Sequence, residues 1–303
     1  MLYRPHVHSV RRHLAAKGSL YDLVVLSRAD TAAAFLDVAR RYCPRARVVF
    51  DTVDLHFLRE MRLAGFTGDK STRVMAERRK GQELGLIARA DTTLVVSPVE
   101  QQLLRQEVPD ADVRVVSNVH RIYGSRRSYA DRRDVLFIGA FAHPPNTDAI
   151  LWFCREIFPL VLHREPDMQL LVIGAEPPRD VKELGSGQIQ ILGHVPDVSS
   201  LFDSCRVSVA PLRYGAGVKG KVNQSLAYGL PVVATSQAIE GMFLEDGESV
   251  LVADQPRAFA DQLIRVYRDQ LLWERLSAGG VDVMEAHFSF AAARRALIEL
   301  IES

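Results

Sequence analysis

The chain has 303 residues, 48% of them hydrophobic and 25% charged, with a formal net charge of +1. That length accommodates two globular domains with separate cores, and the apolar fraction argues against disorder. The near-neutral balance excludes a global electrostatic attraction to a polyanion, so nucleic acid is not among the expected partners. The basic clusters Arg11-Arg12, Arg78-Arg79-Lys80, Arg126-Arg127 and Arg132-Arg133 are short and scattered. They read first as solvated faces, and second as contacts to a membrane surface or to phosphate. Three widely spaced cysteines, Cys43, Cys154 and Cys205, form no CxxC pair. They exclude a disulfide framework and a zinc cluster, suit a reducing cytosol, and are expected to be small buried hydrophobes. No apolar run approaches the ~18 residues a membrane helix needs. The opening Met-Leu-Tyr-Arg-Pro-His has no apolar h-region and does not read as a secretion signal.

Strand and helix patterns alternate along the chain. Short runs rich in Val, Ile and Leu predict buried parallel strands at Leu23–Ser27, Arg47–Asp51, Thr93–Ser97 and Arg114–Ser117. Between them, helices are predicted over Thr31–Tyr42 and Met75–Arg89, and Ser97-Pro98-Val99-Glu100 has the form of a helix start, with Ser97 as cap. Residues 119–133 are polar, basic and aperiodic, and predict an interdomain linker. Alternation then resumes, with strands expected at Val135–Gly139, Gln169–Gly174, Ile189–Leu192, Val207–Ala210, Pro231–Ala234 and Val250–Ala253. A helix from about Thr147 places Ile150, Leu151, Cys154, Ile157 and Phe158 on one face, another from Pro256 does so for Phe259, Leu263, Val266 and Tyr267, and a last one covers Ser289–Ile301. The expected fold class is α/β, two Rossmann-like domains with a cleft between them, over residues 1–132 (linker included) and 133–303.

Ligands of open parallel sheets bind at the carboxyl ends of strands, so the loops there carry the chemistry. The first, from Gly139 through His143 to Asn146-Thr147, links a strand to a helix start. It suits an anion, or is an ordinary turn capped by Asn146 or Thr147. It is not a GxGxxG fingerprint, and nicotinamide is not expected. The second runs from Pro211 to Thr235. Gly215, Gly217 and Gly220 bracket Val218, Lys219 and Lys221 and follow Arg213, ahead of a short helix ending at Gly229 and Pro231. Close backbone approach, fixed positive charge and a helix start are what a diphosphate needs. It is not a Walker loop. The third, Thr235–Met242, offers Glu240 as an acceptor for sugar or ribose hydroxyls, or as a surface carboxylate.

The run Gly215–Thr235 with Glu240-Gly241-Met242 resembles the signature of family-4 glycosyltransferases, in a bacterial branch carrying GAGVKGKV. Phe137–Ala149 resembles the opening of the same domain and Gly193-His194-Val195-Pro196-Asp197-Val198 its middle loop, where such proteins hold the nucleotide base. The resemblance spans 134–290 strongly and 20–118 weakly, with Phe50–His56 the most telling stretch of the latter. It implies a GT-B fold, a nucleotide-sugar donor as substrate with no further cofactor and no bound metal, retention of anomeric configuration, and a last helix crossing back to the N-terminal domain. Lys219 and Lys221 would lie by the diphosphate with Gly215 and Gly217 giving backbone contacts, and Asp54 and His56 would face the transferred sugar or the acceptor. That acceptor is expected to be a glycan or lipid-linked glycan of bacterial polysaccharide synthesis. The expected location is cytoplasmic, with peripheral contact at the inner face of the membrane or within a larger assembly.

Two departures from the family pattern bear on activity. Two glutamates eight residues apart are replaced by Ala216 and Gln224. Gln224 retains hydrogen bonding to ribose, whereas Ala216 cannot replace a carboxylate that touches the sugar. The N-terminal domain also opens on helix-like Arg11–Leu14 rather than on a strand and Gly-rich loop, and is expected to be truncated. These keep two alternatives open: a non-catalytic nucleotide-sugar-binding or scaffold module, and a nucleotide-sugar epimerase of the same fold.

Overall fold

A computed structural model describes residues 9–302, so the N-terminal hexapeptide lies outside the described residues. The chain divides into two units, Met1–Ser117 and Asn118–Ser303. In the first, the apolar runs become four parallel strands, β1 (Leu23–Ser27), β2 (Arg47–Asp51), β3 (Thr92–Val95) and β4 (Val113–Val115), in the order β1-β2-β3-β4. The register sets Val25 beside Val49, Phe50 beside Thr93 and Thr93 beside Val113, a succession of β-branched and aromatic side chains that suits a pleated surface. Leu36, Val48, Phe50, Leu55, Phe57, Ile87 and Leu104 close its core. The Ser97 cap is as read: Ser97 Oγ accepts from Glu100 N–H at 3.2 Å, and Pro98 opens the helix Pro98–Glu107. The helix read as Met75–Arg89 begins earlier, at Lys70, because Asp69 accepts the N–H groups of Ser71 and Thr72 and caps it there. Ahead of it lies a further helix, His56–Thr67, which ends at Gly68 in the left-handed conformation.

The second unit holds β5 (Arg133–Ile138), β6 (Leu170–Ile173), β7 (Ile189–Gly193), β8 (Cys205–Ala210), β9 (Val232–Ala234) and β10 (Leu251–Val252). All pair in parallel, in the order β10-β9-β8-β5-β6-β7. The chain winds outward from β5 to β7 on one side and from β8 to β10 on the other, so β5 and β8 flank the switch point. Phe137, Phe153, Phe158, Phe259 and Leu263 fill the main core, and Leu136, Ile173, Phe202, Tyr228 and Leu230 a second one. The helix predicted from Thr147 starts at Pro144, with His143 and not Asn146 or Thr147 as its cap residue. Two prolines can open a helix because the first-turn N–H groups have no intrahelical partner. It widens into a π-helical turn at Phe153–Ile157 just before Pro159, which cannot donate to the preceding turn. The three cysteines are buried and free, as expected.

The segment read as a linker belongs to the second unit, and the break comes at Ser117 rather than after Arg132. Its backbone is tied into that unit at several points: His120 N–H to Phe288 O at 2.8 Å, and Tyr123 and Gly124 N–H to Ala227 O at 2.7 and 3.1 Å. Arg132, fully buried, anchors it. Its guanidinium donates to the carbonyls of Phe202 (2.6 Å), Cys205 and Arg127 (3.1 Å each) and to Ser125 Oγ (2.9 Å), and lies 5.2 Å from the Trp273 ring. Composition marked the stretch as polar, yet one arginine with five donors satisfies carbonyls that would otherwise be stranded. Arg132→Met is expected to lower the unfolding free energy of the second unit by about 3 kcal/mol, since it strands several buried acceptors at once. Arg132→Lys is expected to recover less than half of that loss, because an ammonium cannot span the same carbonyls. Denaturant titration of the two variants against wild type measures both.

Candidate functional site

Small residues and one buried amide build the loop after β5. Gly139 N–H donates to Ile173 O at 2.9 Å, and a Cβ on Gly174 would lie 2.1 Å from Gly139 O and 2.6 Å from the Phe141 ring. Only glycine at 174 lets the ends of β5 and β6 approach this closely. Asn146, in the first turn of the helix Pro144–Trp152, folds back and donates to Ala140 O at 2.7 Å. Its Oδ1 accepts from Lys221 Nζ, on the other side of the switch point. The loops after β5 and β8 are thus joined by a side-chain bond between two of the residues singled out from sequence.

The loop after β8 turns through Gly215 (φ 147°) and Gly217 (φ 69°), conformations that disfavour any Cβ. Gln237 donates to Gly215 O at 3.1 Å and Thr235 Oγ1 to Leu212 O at 2.5 Å, so the segment after β9 braces it. The loop ends at Lys219, the residue before the helix Gly220–Ala227. The Lys219 side chain is buried and curls onto Gly217 O at 2.7 Å. Lys221 lies 5.2 Å from the Phe137 ring. Burial, and then the neighbouring charge of Lys219, push its ammonium down to about 7. Two amines, one of them easily deprotonated, stand at a helix start whose N–H groups also favour negative charge.

The remaining predicted residues distribute as follows. Arg213 is turned to the helix Pro144–Trp152, where its guanidinium grips both carboxylate oxygens of Asp148, one at 2.9 Å, and lies 5.6 Å from the Trp152 ring. In this arrangement it braces the two loops, a bidentate carboxylate holding its fork. His143 is exposed in the β5 loop and Val218 half-buried in the β8 loop. His194 is exposed after β7, and Val195 packs against the second core. Gln224 and Glu240 are half-buried, the first on the helix Gly220–Ala227 and the second where the segment after β9 ends.

Asp54 and His56 belong to the first unit, in the loop after β2. There Val53 has a φ of 65°, a strained conformation for a β-branched residue. His56 lies between two carboxylates, Nε2 at 3.1 Å from Asp54 and Nδ1 at 3.5 Å from Glu83, while Arg59 donates to Asp54 at 2.7 Å. The hydrogen bond to Asp54, then that to Glu83, hold the imidazole up at about 9. Burial works against ionisation of Asp54, yet the His56 hydrogen bond and the Arg59 charge win and keep its carboxyl below the ordinary value. His56 is therefore a cation at neutral pH and not a base.

Sequence reasoning missed Glu83, Glu100, Asp148 and Asn223. Glu100 is buried and accepts the N–H groups of Leu55 (3.3 Å) and Val96 (3.1 Å), fixing the loop that carries Asp54. A carboxylate on the apolar face of a helix was the available signal for Glu83 and Glu100. Asn223, fully buried on the helix Gly220–Ala227, has no partner for either amide atom among the described residues, and an Asn amid apolar helix positions was its only mark. No group of three or more His, Cys, Asp or Glu side chains suited to a metal gathers among the described residues, and no described helix is long and apolar enough to cross a membrane.

Residues 132–269 match the family model described as glycosyl transferases group 1. A phosphatidyl-myo-inositol mannosyltransferase of Mycobacterium tuberculosis is 30% identical over 201 residues, covering 62% of this chain and 52% of that protein. An uncharacterised 44.6 kDa protein in the cps region of Klebsiella pneumoniae is 26% identical over 140 residues, covering 43% and 36%. The chain thus spans about half the length, or less, of these curated relatives. Among solved structures, sucrose-phosphate synthase from Thermosynechococcus elongatus superposes with a TM-score of 0.73 at 18% identity, covering 98% of this chain and 80% of that one. Anabaena Alr3699/HepE in complex with UDP and glucose gives 0.73 at 14%, covering 97% and 81%. The fold is accordingly GT-B, α/β with two parallel-sheet domains.

The bracketed imidazolium has a pH signature. Its pKa in the folded state, about 9, stands above its ordinary value of 6.5, so the stability it contributes is complete below about pH 6.5 and is lost as pH rises through 9. The stability gap between wild type and His56→Gln is expected to shrink steadily between those limits, as read by denaturant unfolding of the full chain at a series of pH values.

Proposed function

We propose, on the premise that residues 132–269 are a group 1 glycosyltransferase domain, that this chain transfers a sugar from a nucleotide-sugar donor to an acceptor hydroxyl. The observation that carries the proposal is the pair of lysines, Lys219 and Lys221, set at a helix start, with Lys221 bonded to Asn146 across the switch point. The donor diphosphate sits against these amines and the N–H groups that open the helix Gly220–Ala227. Gly215 and Gly217 admit it, and Gly139 keeps the facing loop clear. The base lies against the His194-Val195 loop, and Gln224 and Glu240 serve the ribose and sugar hydroxyls. The Anabaena neighbour with UDP and glucose supports a UDP-sugar as the first donor to try. The mannosyltransferase relative and the cps-region relative support a lipid-linked or polysaccharide acceptor of bacterial origin. The protein works on the cytoplasmic side, in peripheral contact with the membrane.

In the reaction, the bond from the anomeric carbon to the β-phosphate oxygen breaks and one from the acceptor oxygen to that carbon forms on the same face, so configuration is retained. The acceptor proton passes to the departing phosphate. Negative charge grows on the diphosphate, where fixed amines and helix N–H groups meet it without reorganisation and without a bound metal. His56, a cation already, cannot take the acceptor proton; it orients a hydroxyl with Asp54.

Lys219→Ala is expected to slow nucleoside diphosphate release by about 100-fold or more, measured with a panel of UDP-, GDP- and dTDP-sugars with and without acceptor. Nucleotide binding without release from any donor, by wild type, would instead favour a binding module, the reading that Ala216 motivates, and an epimeric sugar would favour an epimerase. A second test uses Lys221. Its ammonium, lowered to about 7 in the free protein, gains a counterion from the diphosphate, so binding above that pH takes up a proton. UDP affinity is expected to fall as pH rises beyond 7, by at most about tenfold per unit. Titration calorimetry in buffers of different ionisation enthalpy should detect the uptake in wild type and none in Lys221→Met.

A further inference from the structure

We propose that the cleft between the loop 243–249 and the helix Gln270–His287 binds an uncharged sugar unit of a glycan chain, away from the switch point. The inference does not rest on the transfer reading. The cleft holds about 510 Å³, a volume suited to a small-molecule site, and none of the residues assigned above to the donor lines it. It is rigidly built. Gly279 lets the loop lie directly on the helix, since a Cβ there would stand 2.3 Å from Glu248 O. Ser249 is buried and its Oγ accepts from Glu245 N–H at 2.8 Å. The N–H groups of Gly247 and Ser249 donate to the carbonyls of Val250 (2.8 Å) and Glu245 (3.0 Å). The loop thus holds itself through its backbone and one serine, and its acidic side chains take no part in that.

One wall of the cleft is aromatic. The Phe243 ring stacks on the His287 imidazole, with centroids 3.9 Å apart and planes 5° from parallel, and meets the Phe288 ring edge-on at 6.2 Å. Phe243 is nevertheless 39% exposed, and it holds a φ of 57°, a left-handed conformation that is costly for a residue with a Cβ. Burial, and then the charge of Arg295, keep the His287 ring below its ordinary pKa, so this wall is uncharged at pH 7. The remainder is polar. Glu245, Glu248, Arg275 and Asp282 line the cleft, all exposed and none with a side-chain hydrogen bond or ion pair among the described residues. These carboxylates do not gather into a metal-binding group. An anionic ligand would meet net negative charge here, and a polycation would leave Arg275 and the rings unused. A sugar uses every part: its C–H face packs on the rings, while its hydroxyls donate to the carboxylates and accept from the guanidinium. From Arg275 to His287 the helix runs about 18 Å, so more than one sugar ring fits and the ligand is a chain.

Affinity electrophoresis of the full chain in gels containing dextran, galactomannan or soluble starch, and in gels containing alginate, tests this. Retardation is expected from at least one of the neutral polysaccharides, with little dependence on salt, and not from the polyanionic alginate. Phe243→Gly should weaken it about tenfold without lowering the melting temperature, because glycine takes the left-handed φ freely. Glu248→Ala with Asp282→Ala, both at exposed positions, should also weaken it while leaving the aromatic wall intact, so the two variants report on the cleft separately. Lys219→Ala should be retarded as strongly as wild type, because the sugar lies away from the switch point. Retardation lost in Lys219→Ala, unchanged in both cleft variants, equal in alginate, or absent from every neutral gel, would each overturn the proposal. So would displacement by oligolysine but not by oligosaccharides of the retarding polymer, which would mean a cationic partner instead of a glycan.

Discussion

The side chain of Lys221 reaches from the helix after β8 to Asn146 in the helix after β5, across the point where the sheet of the second unit reverses its winding. Few other contacts bind these two connections so directly, and much of the site follows from this one. Asn146 can meet Lys221 because it also holds Ala140 O. Its side chain lies over Gly139, where a Cβ would come within 2.9 Å of the amide carbon. Gly139 in turn rests on Gly174 at the end of β6. On the far side, Arg213 repeats the bridge by gripping Asp148, two residues on from Asn146. The geometry that suits an anion is thus a property of the switch point, and the lysines are its charged lining.

The first unit solves a different problem with the opposite charge. Its β2 loop is strained at Val53 and must hold Asp54 and His56 in place, which it does with two carboxylates sent up from helices, Glu100 to the backbone and Glu83 to the imidazole and Phe57 N–H. A buried carboxylate costs several kcal/mol unless it is satisfied. Here Glu100 is spent on loop backbone, and Glu83 on the first-turn Phe57 N–H of the helix His56–Thr67 and on the His56 ring. Strain at Val53 persists because the surroundings overdetermine it.

Strand and helix alternation, the ends of most strands to within one or two residues, and the loops after β5 and β8 were legible in the sequence, because period, small residues and helix stops are local signals. The Pro144-Pro145 start was misjudged because a capping side chain was sought where two prolines suffice. The linker was misjudged for a more general reason: polarity and lack of period describe a chain segment but not its partners. Arg132 finds its acceptors at Phe202 and Cys205, about seventy residues away. Arg213 was read by charge alone, and Asp148, which claims it, carried no signal that it faced the same loop. Residue type and place in the chain were readable; what each side chain is bonded to was not.

The same limit gives the departures from the family pattern their physical meaning. Ala216 and Gln224 stand where the resemblance leads one to expect glutamates. Carboxylates beside Lys219 and Lys221 would support both ammonium charges. With neutral residues there, nothing offsets burial and then the charge of Lys219, which together bring the Lys221 ammonium down to about 7. On the proposed reading, the absence of carboxylates there does more than remove hydrogen-bond acceptors for a sugar: it leaves part of the counter-charge that would hold Lys221 protonated to come from the ligand. On the proposed reading such a site would discriminate by charge as well as by shape, because an uncharged sugar would leave the lysine pair unrelieved whereas a diphosphate would not.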